Sequence, residues 1–288
     1  GIEPIEIPIS WISLPTGMDL QVHLRHPGQA RKETLEGGLE SALYGGFDTI
    51  VTMPNTDPFL DSPEALALAI ESARETCTRY PVRVAFTAAA TKGMQGTEPT
   101  AIEALARAGA VAITDDGWGV KTAEAQAGVF AACARAGLLF QQHAEMPGHK
   151  GVATSSRFQL AHGLPEYPRS AESEMVKRDL ELLRKQKGAR YHILHISTRE
   201  TLAEIRRAKA EGLAVTAEVT PHHLFFSNDS IPPEVDPRST FFKFNPPIFS
   251  PEDQEALRDA LRDGTIDCVS TDHAPHAGSE KMQEFERC

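Results

Sequence analysis

The sequence is short of cysteine, of positive charge and of long apolar runs, and each shortage removes a class of protein. Only Cys77, Cys133, Cys268 and Cys288 occur in 288 residues, scattered and with no Cys-x-x-Cys pair. That usage argues against a disulfide framework, and the first three read as reduced core or helix residues in a reducing, cytoplasmic setting. Lys and Arg number 29 against 40 Asp and Glu, for a formal net charge of -11. A surface of that sign speaks against nucleic acid or anionic membrane as partners, yet it permits a locally cationic pocket for an anionic small molecule. No apolar run is long enough to span a bilayer, no signal peptide is visible, and neither repeats nor low-complexity tracts occur.

What is there has a rhythm. Residues 1–16 alternate apolar and polar residues around prolines and read as an N-terminal arm. From 17 onward, apolar strand-like runs fall near 18–24, 47–53, 82–90, 110–116, 138–145, 190–197, 214–220 and 266–272. Helix-like segments lie between them near 32–44, 63–79, 99–108, 122–136, 171–187, 199–211 and 251–263. Ser62-Pro63 and Ser250-Pro251 pair an N-cap serine with a first-turn proline. Gly109, Gly137, Gly188, Gly212 and Gly264 stand where helices should stop. Strands alternating with helices imply parallel strands joined by helical crossovers. Eight of them suggest that residues 17–288 form one α/β domain, a (β/α)8 TIM barrel, though the count alone also allows an open doubly wound sheet.

In a barrel, chemistry gathers at the C-terminal ends of the strands. Those ends carry Gln21, His23 and Arg25, which period two places on one side of the first strand, then Asn55, Asp115-Asp116, His143 with Glu145, His195 and Asp272. Imidazoles and carboxylates at one mouth suit zinc or a similar divalent ion, and a bridging carboxylate could hold two. His23, Asp116, His143, His195 and Asp272 are the candidate ligands. Asp115 competes with Asp116, and alternation cannot choose between them at a strand end. His192, three residues before His195, should face the opposite side and be structural. His222 and His223 fall past their strand and read as loop contacts. His149 and His162 lie in a loop without an evident role, and Glu145 reads as an outer support of the site.

These stretches resemble the dihydroorotases of the amidohydrolase superfamily, of the bacterial type with an aspartate bridge. The resemblance is carried by Met18–Gly28 (Met-Asp-Leu-Gln-Val-His-Leu-Arg-His-Pro-Gly), Gly45–Thr56, Thr114-Asp-Asp-Gly117, His143-Ala-Glu145, His192–Thr198, Glu218–Leu224, Phe242–Pro247 and Thr271–His276, in family order over nearly the whole chain. It implies a zinc-dependent cyclic amide hydrolase that interconverts dihydroorotate and N-carbamoyl-L-aspartate in pyrimidine biosynthesis, with one or two zinc ions. By the same resemblance His23 and Asp272 belong to the first metal position, His143 and His195 to the second, and Asp116 bridges them. Asp272 resembles the general base. Arg25 and Asn55 match residues that hold the substrate carboxylate, and Asn245 and His276 match further substrate contacts. The chemistry agrees, because a guanidinium fork binds a carboxylate bidentately.

The departures are specific. Gln21 stands where the family usually has a histidine ligand, so its own role as a ligand is in doubt and one position should be weaker. His26 replaces the more usual glutamate. The closing helix and small β-sandwich of full-length relatives are expected to be missing or vestigial, which suggests a truncated chain. A barrel with seven helices should leave Val22, Leu24, Ile266 and Cys268 or Val269 partly uncovered, and such a patch favours a homo-oligomer. Two other readings compete. A hydantoinase or allantoinase would share fold and reaction, but those enzymes usually carry a carboxylated lysine where this chain has Asp116. A non-catalytic dihydroorotase-like partner of aspartate transcarbamoylase would explain the loss of a ligand at Gln21.

Overall fold

The structure is a computed structural model that describes residues 14–236 and 240–288. Of the expected arm, residues 1–13 lie outside the described residues. Among the described residues, nine short strands run β1 (Gly17–Val22), β2 (Phe47–Thr52), β3 (Arg83–Phe86), β4 (Ala88–Ala89), β5 (Ala112–Thr114), β6 (Leu139–Gln142), β7 (Arg190–Ile193), β8 (Val215–Val219) and β9 (Cys268–Val269). Every pairing is parallel, in the orders β1-β2-β3 and β4-β5-β6-β7-β8-β9. The expected third strand is divided at Thr87, whose amide and hydroxyl both donate to the Thr52 carbonyl, at 3.1 and 2.7 Å. The remaining gap, between β9 and β1, is bridged by Val22 and His273, with the His23 amide donating to the His273 carbonyl at 2.7 Å. Asp19 on β1 also accepts from the Thr271 hydroxyl at 2.5 Å. The ring is a (β/α)8 barrel.

Helices Leu35–Tyr44, Pro63–Arg79, Ile102–Ala108, Ala123–Ala136, Ser170–Leu183, Arg199–Ala210 and Pro251–Arg262 make the crossovers. Their ends obey the sequence signals. Ser62 and Ser250 accept from the backbone of Ala65 and Asp253, ahead of first-turn prolines, and Gly109 and Gly137 close their helices in the left-handed region. Inward faces of the helices meet the outward faces of the strands in one apolar shell. At its centre Phe130, Phe140 and Tyr191 are fully buried and pack edge-on and stacked at 5.6–6.1 Å; each such ring contributes roughly 1.5–3 kcal/mol by burial.

The seam between β9 and β1 differs from expectation. Val22, Leu24 and Ile266 are buried, and only Val269 is appreciably exposed, at 37%. Leu24 lies under Gly38, where an added Cβ would stand 2.7 Å from its Cδ2. Gly38 of the helix Leu35–Tyr44 thus covers Leu24, while a cavity of about 290 Å³ lined by Val22, Leu24, Phe47 and Ile50 remains at the seam.

Candidate functional site

The strand ends converge as the alternation predicts, and the last turns of backbone do part of the placing. Arg25, His195 and Asp272 have φ of 57°, 32° and 49°. Non-glycine residues seldom occupy this region, and such strain collects at functional sites. It turns each side chain back into the mouth after its strand has ended.

Two groups form around Asp116. In one, His23 Nε2 lies 3.0 Å from Asp116 Oδ2 and 3.1 Å from Asp272 Oδ1. In the other, Asp116 Oδ1 faces His143 Nδ1 at 3.5 Å and His195 Nε2 at 3.4 Å, and those two nitrogens lie 2.9 Å apart. Each triad places its ligand atoms within 4.8 Å of one another. All five side chains are at least largely buried.

The partners behind these atoms test whether a cation belongs there. His23 Nδ1 lies 2.8 Å from Asn55 Oδ1, an acceptor, so that nitrogen carries the proton and Nε2 offers a lone pair to two carboxylates. His143 Nε2 lies 3.1 Å from Glu145 Oε2, which fixes its proton outward and its Nδ1 lone pair inward. Asp116 Oδ1, fully buried, makes no hydrogen bond. Lone pairs thus face lone pairs, an arrangement that a proton or a metal ion must neutralise. Burial alone would push the His23 imidazole down, but hydrogen bonds and charge from Asp116 and Asp272 lift it to about 9. Burial likewise opposes charge on His143, yet Asp116 and Glu145 raise it to about 10. Asp116 is buried too, and the three imidazoles hold it well below the usual carboxylate range. The field that would keep protons on these rings is the field that attracts a divalent cation, and the donor set fits one.

Asp115 is the structural member of its pair. Its carboxylate accepts from the amides of Ala90 and Thr91 at 2.8 and 3.0 Å and from the Thr91 hydroxyl, tying β5 to β4, while burial raises it to about 6. Gln21 is fully buried on β1, and neither of its amide atoms has a hydrogen-bond partner.

The triads open into a cavity of about 600 Å³ lined by Arg25, Asn55, Asn245 and His276, as the sequence suggested. Arg25 Nε donates to the Pro275 carbonyl at 3.0 Å, which fixes the plane of the guanidinium. Lys32, Lys243 and Lys281 also line it, so the pocket of an acidic chain is locally cationic. Asn245 Nδ2 stands 3.4 Å from His143 Nε2, and His276 leans on Glu280 at 3.3 Å.

Several lining residues escaped the sequence reading. His222 is one: it lines the cavity and stacks on Phe244 with centroids 4.3 Å apart, and burial lowers it to about 4, leaving a neutral ring. Trp118 and Lys32 are others. The Glu218–Leu224 motif, which contains His222, and the Phe242–Pro247 motif, which contains Phe244, carried the signal. His223 is bound to Thr220 and the Pro246 carbonyl, His149 to Glu145 at 2.9 Å and His162 to the Pro233 carbonyl, so these remain structural. His192 pairs with Glu218 at 3.0 Å, away from the cavity. The reason differs from the one expected: β7 ends at Ile193, so strand alternation does not reach His195.

A protein-family model described as Dihydro-orotase-like matches residues 11–201. The chain belongs to the dihydroorotase-like family. Among curated relatives, the dihydroorotase of Bacillus licheniformis is 43% identical over 271 residues, covering 93% of this chain and 61% of that protein. The dihydroorotase of Staphylococcus aureus MRSA252 is 41% identical over 292 residues, covering 100% and 66%. This dihydroorotase-like chain therefore spans between 61% and 66% of the length of these two relatives. Among solved structures, L-hydantoinase from Arthrobacter aurescens superposes with a TM-score of 0.77 at 24% identity, covering 93% of this chain and 59% of that one. Saccharomyces cerevisiae dihydroorotase in complex with 5-fluoroorotic acid gives 0.74 at 19%, covering 96% and 74%. At those identities the structures speak for the barrel fold alone.

Proposed function

We propose that this chain is the catalytic barrel of a dihydroorotase, opening the cyclic amide of dihydroorotate to N-carbamoyl-L-aspartate and closing it in reverse. The observation that carries the reading is the pair of donor triads sharing Asp116 at the floor of a cavity walled by Arg25. A shared aspartate, with no lysine in its place, favours this substrate class over hydantoins.

Asp116, His143 and His195 would hold zinc, three ligands with a position left open, and His23, Asp116 and Asp272 a further divalent ion. When bound, the metal supplies Lewis acidity to the ring carbonyl and acidifies the attacking water. The chain's own groups do the rest. Arg25, its plane fixed by Pro275, takes the substrate carboxylate, with Asn55, Asn245 and His276 around the same cavity. Asp272 receives the proton of the attacking water and passes it to the leaving ring nitrogen, which needs a carboxylate within reach of both. Glu145 and Asn55 hold the tautomers of His143 and His23. The stacked His222 and Phe244 wall off the side of the cavity and shield the reacting amide from bulk water. The low cysteine content and acidic charge support a reducing, cytoplasmic setting.

The test is dihydroorotate hydrolysis by the purified chain, stripped with chelator and then resupplied with zinc. Turnover that disappears on stripping and returns with zinc is the expected result. No bound zinc, and no hydrolysis when zinc is added, would favour the non-catalytic partner of a transcarbamoylase.

A further inference from the structure

The two triads share a carboxylate but offer different chemistry. The second presents two imidazole nitrogens and one carboxylate oxygen; the first presents one imidazole and two carboxylate oxygens. Gln21 sits near the end of β1, two residues before His23, which follows that strand. Its side chain is 0% exposed, with Oε1 and Nε2 both lacking a hydrogen-bond partner. An unsatisfied buried amide group is destabilising, so a carboxamide is a poor choice here unless something uses its oxygen. Val22, between them, bridges to His273, and the His23 amide donates to the His273 carbonyl, so Gln21 and His23 lie on the face opposite Val22; a glutamine Oε1 reaches about as far from its Cα as an imidazole Nε2.

We propose that the amide oxygen of Gln21 is the fourth donor of the first position, and that it makes the two positions differ in metal preference. The first becomes an oxygen-rich site suited to a harder divalent ion of the Mn²⁺ or Mg²⁺ class, while the second keeps the nitrogen-rich set suited to zinc. This rests on the metal-hydrolase reading above and adds selectivity to it. Zinc outbinds manganese at most mixed nitrogen and oxygen sites. The proposal therefore concerns the ratio of the two affinities, which should be smaller at the first position than at the second.

The experiment uses the full chain, stripped of metal and dialysed against zinc and Mn²⁺ over a range of ratios. Metal content is read by elemental analysis and bound Mn²⁺ by its electron paramagnetic resonance signal. Wild type should bind two ions with distinct zinc-to-manganese preferences, manganese entering at one position only. Gln21→His should raise the zinc preference of that position by about tenfold or more and leave the other unchanged. Gln21→Leu, close in volume and apolar, should lose the manganese signal while retaining one zinc. Circular dichroism identifies misfolding, and the histidine variant decides if the leucine variant does not fold. Two ions with one common preference, or a Gln21→His variant with the wild-type ratio, overturn this inference and leave the hydrolase reading intact. If wild type binds neither ion, the hydrolase reading fails with it.

Discussion

The two halves of the candidate metal centre sit on opposite kinds of scaffold. The half containing His143 and His195 rises from β6 and β7, whose register is continuous over four residue pairs and whose outer faces carry the aromatic core of Phe140 and Tyr191. Both of its imidazoles are almost completely buried, and Glu145 braces one of them. The half containing His23 and Asp272 straddles the seam between β1 and β9, held by one isolated bridge and a few polar contacts through Asp19. Asp272 there is 15% exposed on its side chain and sits at φ 49°. A group fixed by a full ladder is well suited to holding an ion permanently. A carboxylate on a strained turn at a seam is better placed to exchange protons with substrate and water, which is the task assigned to Asp272. The arrangement ties the barrel's weakest closure to its chemistry.

Removing the shared element should erase the distinction altogether. Asp116→Asn is expected to lose both ions in elemental analysis and to lower turnover by more than the ~10²–10³-fold that follows loss of one electrostatic stabiliser. Retention of a full complement of metal by this variant would mean that the triads do not share a ligand. Asp272→Asn separates the halves. Asparagine tolerates the left-handed region as aspartate does, so circular dichroism should stay native and the ion at His143 and His195 should remain. Turnover should fall by the ~10²–10⁴-fold typical of a lost general base. Ordinary activity in that variant would remove Asp272 from the mechanism.

Arg25 follows β1, the strand of the weaker half, and its proposed role is to hold the substrate. Arg25→Lys keeps the charge and loses the planar fork. A charged hydrogen bond is worth about 1.5–3 kcal/mol, so steady-state kinetics with dihydroorotate should show KM raised by roughly 10- to 100-fold, with metal content unchanged. An unaltered KM would place Arg25 at the rim, where its contact with the Pro275 carbonyl would be its whole function.

Much of this contrast was legible before the structure. Alternation and helix punctuation yielded the barrel, because each strand is buried outward by helices and each helix end carries its own cap. The convergence of the candidate ligands was legible because polar residues recur at one end of strands that are otherwise apolar. What period two could not supply was anything beyond the last hydrogen-bonded residue. Arg25, His195 and Asp272 are placed by left-handed backbone, and the choice between Asp115 and Asp116 depends on Thr91 and Ala90, which come from another strand. The cover over Val22 and Leu24 was legible only in part: both line a cavity at the seam yet are buried, because Gly38 brings one helix close to Leu24, a distance that counting helices does not reveal. His222 was missed because its use comes from stacking on Phe244, more than twenty residues away, and sequence spacing does not encode that contact.

The smallest effect is expected where one residue has been given two duties. Asn55 was assigned to the substrate carboxylate from the sequence, yet its Oδ1 is occupied at 2.8 Å by His23 Nδ1. Its Nδ2 makes only a long contact, 3.5 Å, with the Asp116 carbonyl and remains the group available to a ligand. Asn55→Ala removes both duties, and Asn55→Asp keeps an acceptor for His23 while replacing the donor with a negative charge. If orientation of His23 is the main duty, alanine should weaken the first ion by the ~10–100-fold seen when an outer support of a metal ligand is lost, and aspartate should restore it. If substrate binding is the main duty, both variants should hold metal normally and raise KM, aspartate more than alanine because it repels the carboxylate. The geometry favours the first pattern with a modest share of the second: metal affinity rescued by aspartate, and KM not rescued. Rescue of KM by aspartate would show that Asn55 touches His23 alone, and that the substrate carboxylate is held on the other side by Arg25 without its help.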